Sequence, residues 1–158
     1  MLDAENDAAD VKISPPLLYL GGIVAGVLVH AFAFELPIAL PMGARIAAAG
    51  VTGLAGLALV AAAGLQFRHS GQDPRPWKTT PAIVSRGAFR WSRNPMYVGM
   101  ALLQAAVGLS LANGWILVLI PVVLVAVHYL VVRHEEIYLE RKFAQEYARY
   151  KASVRRWI

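Results

Sequence analysis

The sequence predicts an all-α, polytopic membrane protein with about four transmembrane helices, a long cytoplasmic loop and a C-terminal amphipathic helix. Three observations carry this. Of 158 residues, 58% are hydrophobic and only 16% are charged, and the charges are bunched rather than spread. Apolar runs recur at Leu17–Phe34, Ala44–Gln66, Met96–Leu111 and Trp115–Val132. Most Lys and Arg fall in the two polar segments Arg68–Arg93 and Arg133–Arg156, whereas the turns near Pro37–Arg45 and Asn113-Gly114 hold only Arg45. Basic segments stay inside, so a multi-pass protein of the cell membrane with both termini cytoplasmic is expected. The length suits a single membrane domain over 1–158, with an N-terminal helical hairpin over 15–66 and a core over 67–158.

The chain has no cysteine, which excludes disulfides, Cys-ligated zinc, iron–sulfur clusters and thiol nucleophiles. The net charge of +5 does not point to nucleic acid, because the basic residues flank apolar runs where topology signals sit. The four histidines show no metal-ligating spacing, and neither a P-loop nor a dinucleotide fingerprint is present.

Met1 to Ser14 is polar and acidic, with Asp3, Glu5, Asp7 and Asp10 against Lys12, and is expected as a mobile or surface-lying tail. Pro15-Pro16 opens the first run. Ala31-Phe32-Ala33 resembles a signal-cleavage pattern, but the acidic start and the spans that follow argue for a retained helix. Gly22 and Gly26 in it suit close helix approach. Pro37 and Pro41 make a turn. The second run carries Gly50, Gly53 and Gly56, small residues that favour tight packing in lipid and leave room for a homodimer.

Phe67 to Arg93 is the long polar segment, and Pro74, Pro76 and Pro81 prevent a continuous helix there. A turn is expected at Arg86-Gly87. Asn94 is placed to cap the third helix, with Pro95 in its first turn. Asn113-Gly114 is a turn signal, and Trp115 suits an interfacial position. Pro121 should kink the fourth helix. Beyond Arg133, Leu139, Phe143, Tyr147 and Tyr150 are spaced by four, four and three residues, one face of a helix that lies at the interface or covers a site. The tail Arg155-Arg156-Trp157 fits an interfacial anchor.

If the third and fourth helices form a hairpin, Asn94–Tyr97 and Glu135–Glu136 lie at the same depth. The glutamates suit recognition of a cation or of ribose hydroxyls, or else a solvated face in the headgroup zone. Adjacent positions point about 100° apart on a helix, so one can face inward while the other pairs with Arg133 or the loop. The start of the third helix and Tyr97 offer donors for a carboxylate, or else serve as a cap and an interfacial tyrosine. His30 and His128 are isolated in apolar runs and are read as packing or helix–helix bonding groups, and Gln104 as a bond across to another helix.

The stretch Pro81-Ala82-Ile83-Val84-Ser85-Arg86-Gly87-Ala88-Phe89-Arg90-Trp91-Ser92-Arg93-Asn94-Pro95-Met96-Tyr97-Val98-Gly99, followed by Glu135-Glu136, Leu139, Phe143, Glu146-Tyr147 and Tyr150, resembles the isoprenylcysteine carboxyl methyltransferases and the phospholipid N-methyltransferases. The resemblance covers Gly71 to Ile158. It implies a methyltransferase with an S-adenosylmethionine site. Pro81, Ala82, Ile83 and Val84 would lie along the cofactor. Phe89 stands where the family usually has Tyr, and Asn94-Pro95-Met96-Tyr97 stands for its His-Pro-x-Tyr. Glu135 matches the cofactor-binding Glu. Val131 occupies the position of a substrate-carboxylate Arg in the eukaryotic enzymes, and Arg133 lies two residues on, so these two are the candidate substrate contacts. No side chain is assigned a catalytic role. The acceptor implied is lipophilic, entering laterally from the membrane lipids: a prenylcysteine-like carboxylate, a lipid amine or another apolar nucleophile. The alternatives are an NADPH-dependent membrane reductase and a non-catalytic scaffold or transport subunit.

Overall fold

In the computed structural model, which describes residues 7–158, every extended element is a helix. The chain runs α1 (Pro15–Phe32), α2 (Met42–His69), a 3₁₀ turn (Gly87–Arg90), α3 (Pro95–Ser110), α4 (Gly114–Val118), α5 (Ile120–Val127), a π-helical turn (His128–Val132) and α6 (Arg133–Ser153). Three helical stretches are long and apolar enough to cross a membrane: α1, α2 and the continuous stretch that begins at Gly114. In this last stretch the apolar part is Gly114–Val132. Apolar α3, 16 residues long, spans about 24 Å. It packs against α1, α2, α4 and α5 and forms the centre of the bundle.

Small residues set how close the helices come. A Cβ on Gly56 would sit 2.8 Å from the Gly99 carbonyl oxygen, and one on Gly99 would sit 2.9 Å from that of Gly56. The α2 and α3 backbones therefore touch, as the glycines of the second run suggest. Gly53 makes only an ordinary contact with Ala106, and Gly50 meets nothing. Gly26 does the same on α1, where an added Cβ would meet the Ile116 backbone at 2.9 Å. Gln104, buried on α3, donates to the Ile116 carbonyl at 3.0 Å and so ties α3 to α4.

The end of the bundle away from the long loop is stitched by Asn113. Its Oδ1 accepts from the Trp115 and Ile116 backbone N–H groups, and its Nδ2 donates to Gly26 O at 3.1 Å. The neighbouring chain forms a bridge between Pro37 and Asn113. One buried side chain thus caps α4 and holds α1. Asn113→Ala should destabilise the protein by about 1–2 kcal/mol, read as a lower thermal midpoint in detergent; an unchanged midpoint would remove Asn113 from this role.

The last span departs from a plain helix in two places. The break expected at Pro121 falls at Leu119, between α4 and α5. The π turn at His128–Val132 adds a residue to the turn, which rotates everything beyond it by about 100° relative to an unbroken helix. This sets the direction in which Glu135 and Glu136 leave the span. The amphipathic helix is also bent: Ala144 sits at φ 37°, ψ −106° inside α6, so Leu139 and Phe143 fall on one segment and Tyr147 and Tyr150 on the next.

Of the two expectations for the N-terminal tail, mobile or surface-lying, the described part follows the second. Met1–Asn6, with Asp3 and Glu5, lie outside the described residues. From Asp7 the chain is docked. Ala9 and Val11 are buried in a cluster with Tyr19, Tyr97, Val123, Val127, Val131 and Val132, and Asp7 pairs with Lys142 at 2.7 Å. Two apolar residues and one neutralised acid suffice to hold a short polar segment on the surface.

Candidate functional site

At the end of the bundle that carries the long loop, several elements surround a cleft that opens to solvent on one side. The loop forms one wall through Gln72–Pro76, Thr80 and Ala82–Val84, the start of α3 forms the floor through Arg93–Tyr97, and α6 closes the far side.

Local chemistry explains each wall. Gly87 has φ 58°, a left-handed conformation that favours glycine, and lets the loop turn into the 3₁₀ segment. That segment buries Phe89 edge-on against Phe67 at 5.3 Å between ring centroids. The Tyr150 hydroxyl donates to Phe89 O at 2.8 Å. Gln72 is buried and donates to Ala82 O at 3.0 Å, which folds the proline-rich loop onto itself. The Tyr138 hydroxyl is a junction: it accepts from the Thr80 N–H at 3.1 Å and donates to Asp7.

The two polar motifs read from the sequence meet here. The Tyr97 hydroxyl donates to Glu135 Oε1 at 2.8 Å. Tyr97 is itself held by α1, because the Tyr19 hydroxyl donates to its backbone carbonyl at 2.8 Å. Desolvation pushes the Glu135 carboxyl up to about 7; the Tyr97 hydroxyl pulls it down, and the Glu136 charge beside it adds to the rise. Glu136 turns the other way and binds two arginines. Arg156 donates to it through Nε at 3.0 Å and Nη2 at 2.8 Å, and Arg93 Nη2 lies 3.3 Å away. The partner from the loop is therefore Arg93, and Arg133 is exposed.

Of the residues singled out in the sequence, Ala82, Ile83, Val84, Phe89, Asn94, Pro95, Met96, Tyr97 and Glu135 line the cleft. Pro81 is exposed and outside its lining. Val131 is fully buried in the core, and neither it nor Arg133 reaches the cleft. Asn94 is a backbone N-cap residue, but its side chain makes no cap bond. Its Nδ2 donates to Arg156 O at 2.9 Å and pins the C-terminal tail across the start of α3. Arg93 N–H donates to Arg155 O at 2.9 Å beside it. The tail is thus a strap against the bundle.

Sequence reasoning missed Tyr19, Ala9, Gln72, Tyr138 and the pairing of Arg156 with Glu136. Tyr138 lies three residues after Glu135, on the same face of α6, which is a usable signal. Nothing local marks Tyr19 or Ala9, which come from chain ends far away in sequence.

The chemistry available is that of a zwitterion pocket: carboxylates, guanidinium groups and aromatic rings in one enclosed space. Two lining groups keep hydrogen-bonding capacity in hand, since Gln72 Oε1 and Arg93 Nε and Nη1 are buried without a partner. No cluster of three or more metal-ligating side chains occurs among the described residues. A second, apolar groove lies between α3 and α5, lined by residues such as Val98, Leu102, Leu124 and Tyr129 together with Arg156, Trp157 and Ile158.

A family model described as phospholipid methyltransferase matches residues 44–146. An uncharacterised protein of Haemophilus influenzae is 36% identical over 63 residues, all of that protein and 40% of this chain. No solved structure matches.

Proposed function

The chain belongs to the phospholipid methyltransferase family, and from that premise we propose that it transfers a methyl group from S-adenosylmethionine to a lipophilic acceptor drawn from the bilayer. The observation that carries this reading is the Tyr97–Glu135 bond at 2.8 Å, in the wall of a cleft whose lining residues also hold buried, unpartnered donors and an acceptor.

The residues fit such a cofactor. Glu135 offers a carboxylate to an ammonium, a sulfonium or a ribose diol. Gln72 Oε1 offers an acceptor, Phe89 and Met96 offer apolar surface, and the backbone of Ala82–Val84 offers polar groups at the opposite wall. The bound cofactor supplies an activated methyl carbon, so the protein need only align an incoming nucleophile with it. That alignment can contribute about 7–11 kcal/mol in ideal cases. The strap and α6 keep water from the reacting atoms. A carboxylate acceptor needs no base, and an amine must arrive neutral, which desolvation near lipid favours.

The acceptor's apolar chain fits the groove between α3 and α5. Arg156 lines the mouth of that groove and also binds Glu136 in the cleft wall, so the two spaces adjoin. The cleft, the basic loop and the C-terminal strap share one end of the bundle, taken as cytoplasmic because basic residues collect there.

Incubating the purified protein with methyl-labelled S-adenosylmethionine and total membrane lipid should move label into an extractable lipid. Label remaining wholly on the donor, with no donor binding by calorimetry, would remove the proposal.

A further inference from the structure

Within the cleft assigned to the methyl donor, we propose that Arg93 is the anchor for a small oxyanion: the carboxylate of the donor's amino-acid end, or the phosphate of a lipid headgroup. The proposal rests on that cleft being the methyl-transfer site.

The charge balance comes first. Arg93 and Arg156 share the single carboxylate of Glu136, while Glu135, the neighbouring carboxyl in the cleft, is bonded to Tyr97. Arg156 has an exit, because its side chain is 38% exposed. The Arg93 side chain is 9% exposed, and its Nε and Nη1 bond to nothing. Buried donors without partners are rare, and a buried cation is the most costly kind to leave unpaired. A guanidinium is the side chain best suited to carboxylate or phosphate.

Most of the other donors nearby are taken, the Met96 N–H and the Tyr147 hydroxyl apart. The anion expected at the start of α3 finds little there: Asn94 Nδ2 is bonded to Arg156 O, the Asn94 N–H to Ser92 Oγ, and Tyr97 N–H and Val98 N–H to Asn94 O. Pro95 has no N–H. The other cation lining the cleft, Arg75, is closed on Asp73. The Tyr150 hydroxyl is given to Phe89 O. Arg93 is therefore the lining cation with donors to spare.

Calorimetry on the full-length protein in detergent tests this with two pairs of probes. The first pair is S-adenosylmethionine and its decarboxylated analogue. Wild type should bind the carboxylated form about 10- to 100-fold more tightly, and Arg93→Gln should bind both forms equally, at the wild-type affinity for the decarboxylated one. That result assigns the carboxylate, and the retained binding of the decarboxylated form shows the variant to be folded. The second pair is short-chain phosphatidylethanolamine and an acylated amine without phosphate. If Arg93→Gln leaves the first ratio intact but abolishes the preference in the second, the anion is the headgroup phosphate. If Arg93→Gln binds nothing, Arg93→Lys decides: a restored ratio supports the anchor and an unrestored one overturns it. Both ratios unchanged in Arg93→Gln overturn the proposal, while the donor site stands. Wild type binding neither form of the donor overturns the donor reading instead, and the lipid pair still reports on Arg93.

Discussion

Glu135→Ala should weaken S-adenosylmethionine binding about 100-fold, and Glu135→Gln about 10- to 30-fold, as the loss of a charge-assisted bond in an enclosed site. Alanine is the worse of the two because it also leaves the Tyr97 hydroxyl, which now donates to Glu135 Oε1, without a partner. The pH dependence is a sharper signature. Desolvation holds the Glu135 carboxyl up at about 7. A cationic ligand binds the carboxylate and must displace the proton below that value. Donor affinity should therefore rise with pH up to about 7 and level off above it, and Glu135→Gln should flatten the profile. Stability runs the other way. The folded carboxyl holds its proton to a higher pH than the unfolded one, so folding loses stability as pH rises from about 4.5 to 7. At pH 8 the ligand-free Gln variant should melt no lower than wild type. Calorimetry and a thermal melt check both signs together; a Gln variant with a wild-type affinity profile would remove Glu135 from the site.

Gly99→Leu should lower the thermal midpoint by about 2–12 °C, the effect of roughly 1–3 kcal/mol of overpacking in a chain of this size. The position allows no side-chain escape. A Cβ there would meet Val60 Cγ2 at 2.7 Å, Gly56 O at 2.9 Å and Val60 N at 3.1 Å, and two of these are backbone. The α2 helix must then move off α3 and take with it Phe67, which stacks on Phe89 in the cleft. Donor binding should fall along with stability. Gly50→Leu is the control: a Cβ at Gly50 meets nothing within 4 Å, so its melt should stay near wild type. Equal melts for the two leucine variants would show that α2 and α3 are not held by this contact.

Much of the architecture was legible because lipid imposes it. Each apolar run became a helix, since a backbone in hydrocarbon must satisfy its own polar groups, and the ends differ from expectation by only a few residues. Glycine spacing marked which faces touch, but not which glycines do so: Gly56 is in close contact and Gly50 is not. The Asn113-Gly114 turn was legible as a turn, but not as the stitch that ties α4 to α1. Asn94 was misread in one respect, because its side chain serves the C-terminal tail instead of the helix cap. A cap is a local rule, and a carbonyl that arrives from Arg156 competes for the same amide. The docked segment from Asp7 onward was illegible for a similar reason. Polar composition left a mobile and a surface-lying tail equally open, and the apolar seat of Ala9 and Val11 exists only in the folded bundle.

What the amino-acid order decided alone is the list of helices, the clustering of basic residues at one end and the pairing of an Asn-Pro-x-Tyr corner with an acidic doublet, because periodicity, proline and charge act over a few neighbours. What folding decided is which partner each polar atom received. Glu135 took Tyr97, Glu136 took Arg93 and Arg156, Val131 went into the core and Arg133 out to the surface. Those choices turn on one added residue at His128–Val132 and a bend at Ala144. A rotation of about 100° redirects a side chain completely, and it is set by packing between helices far apart in the chain.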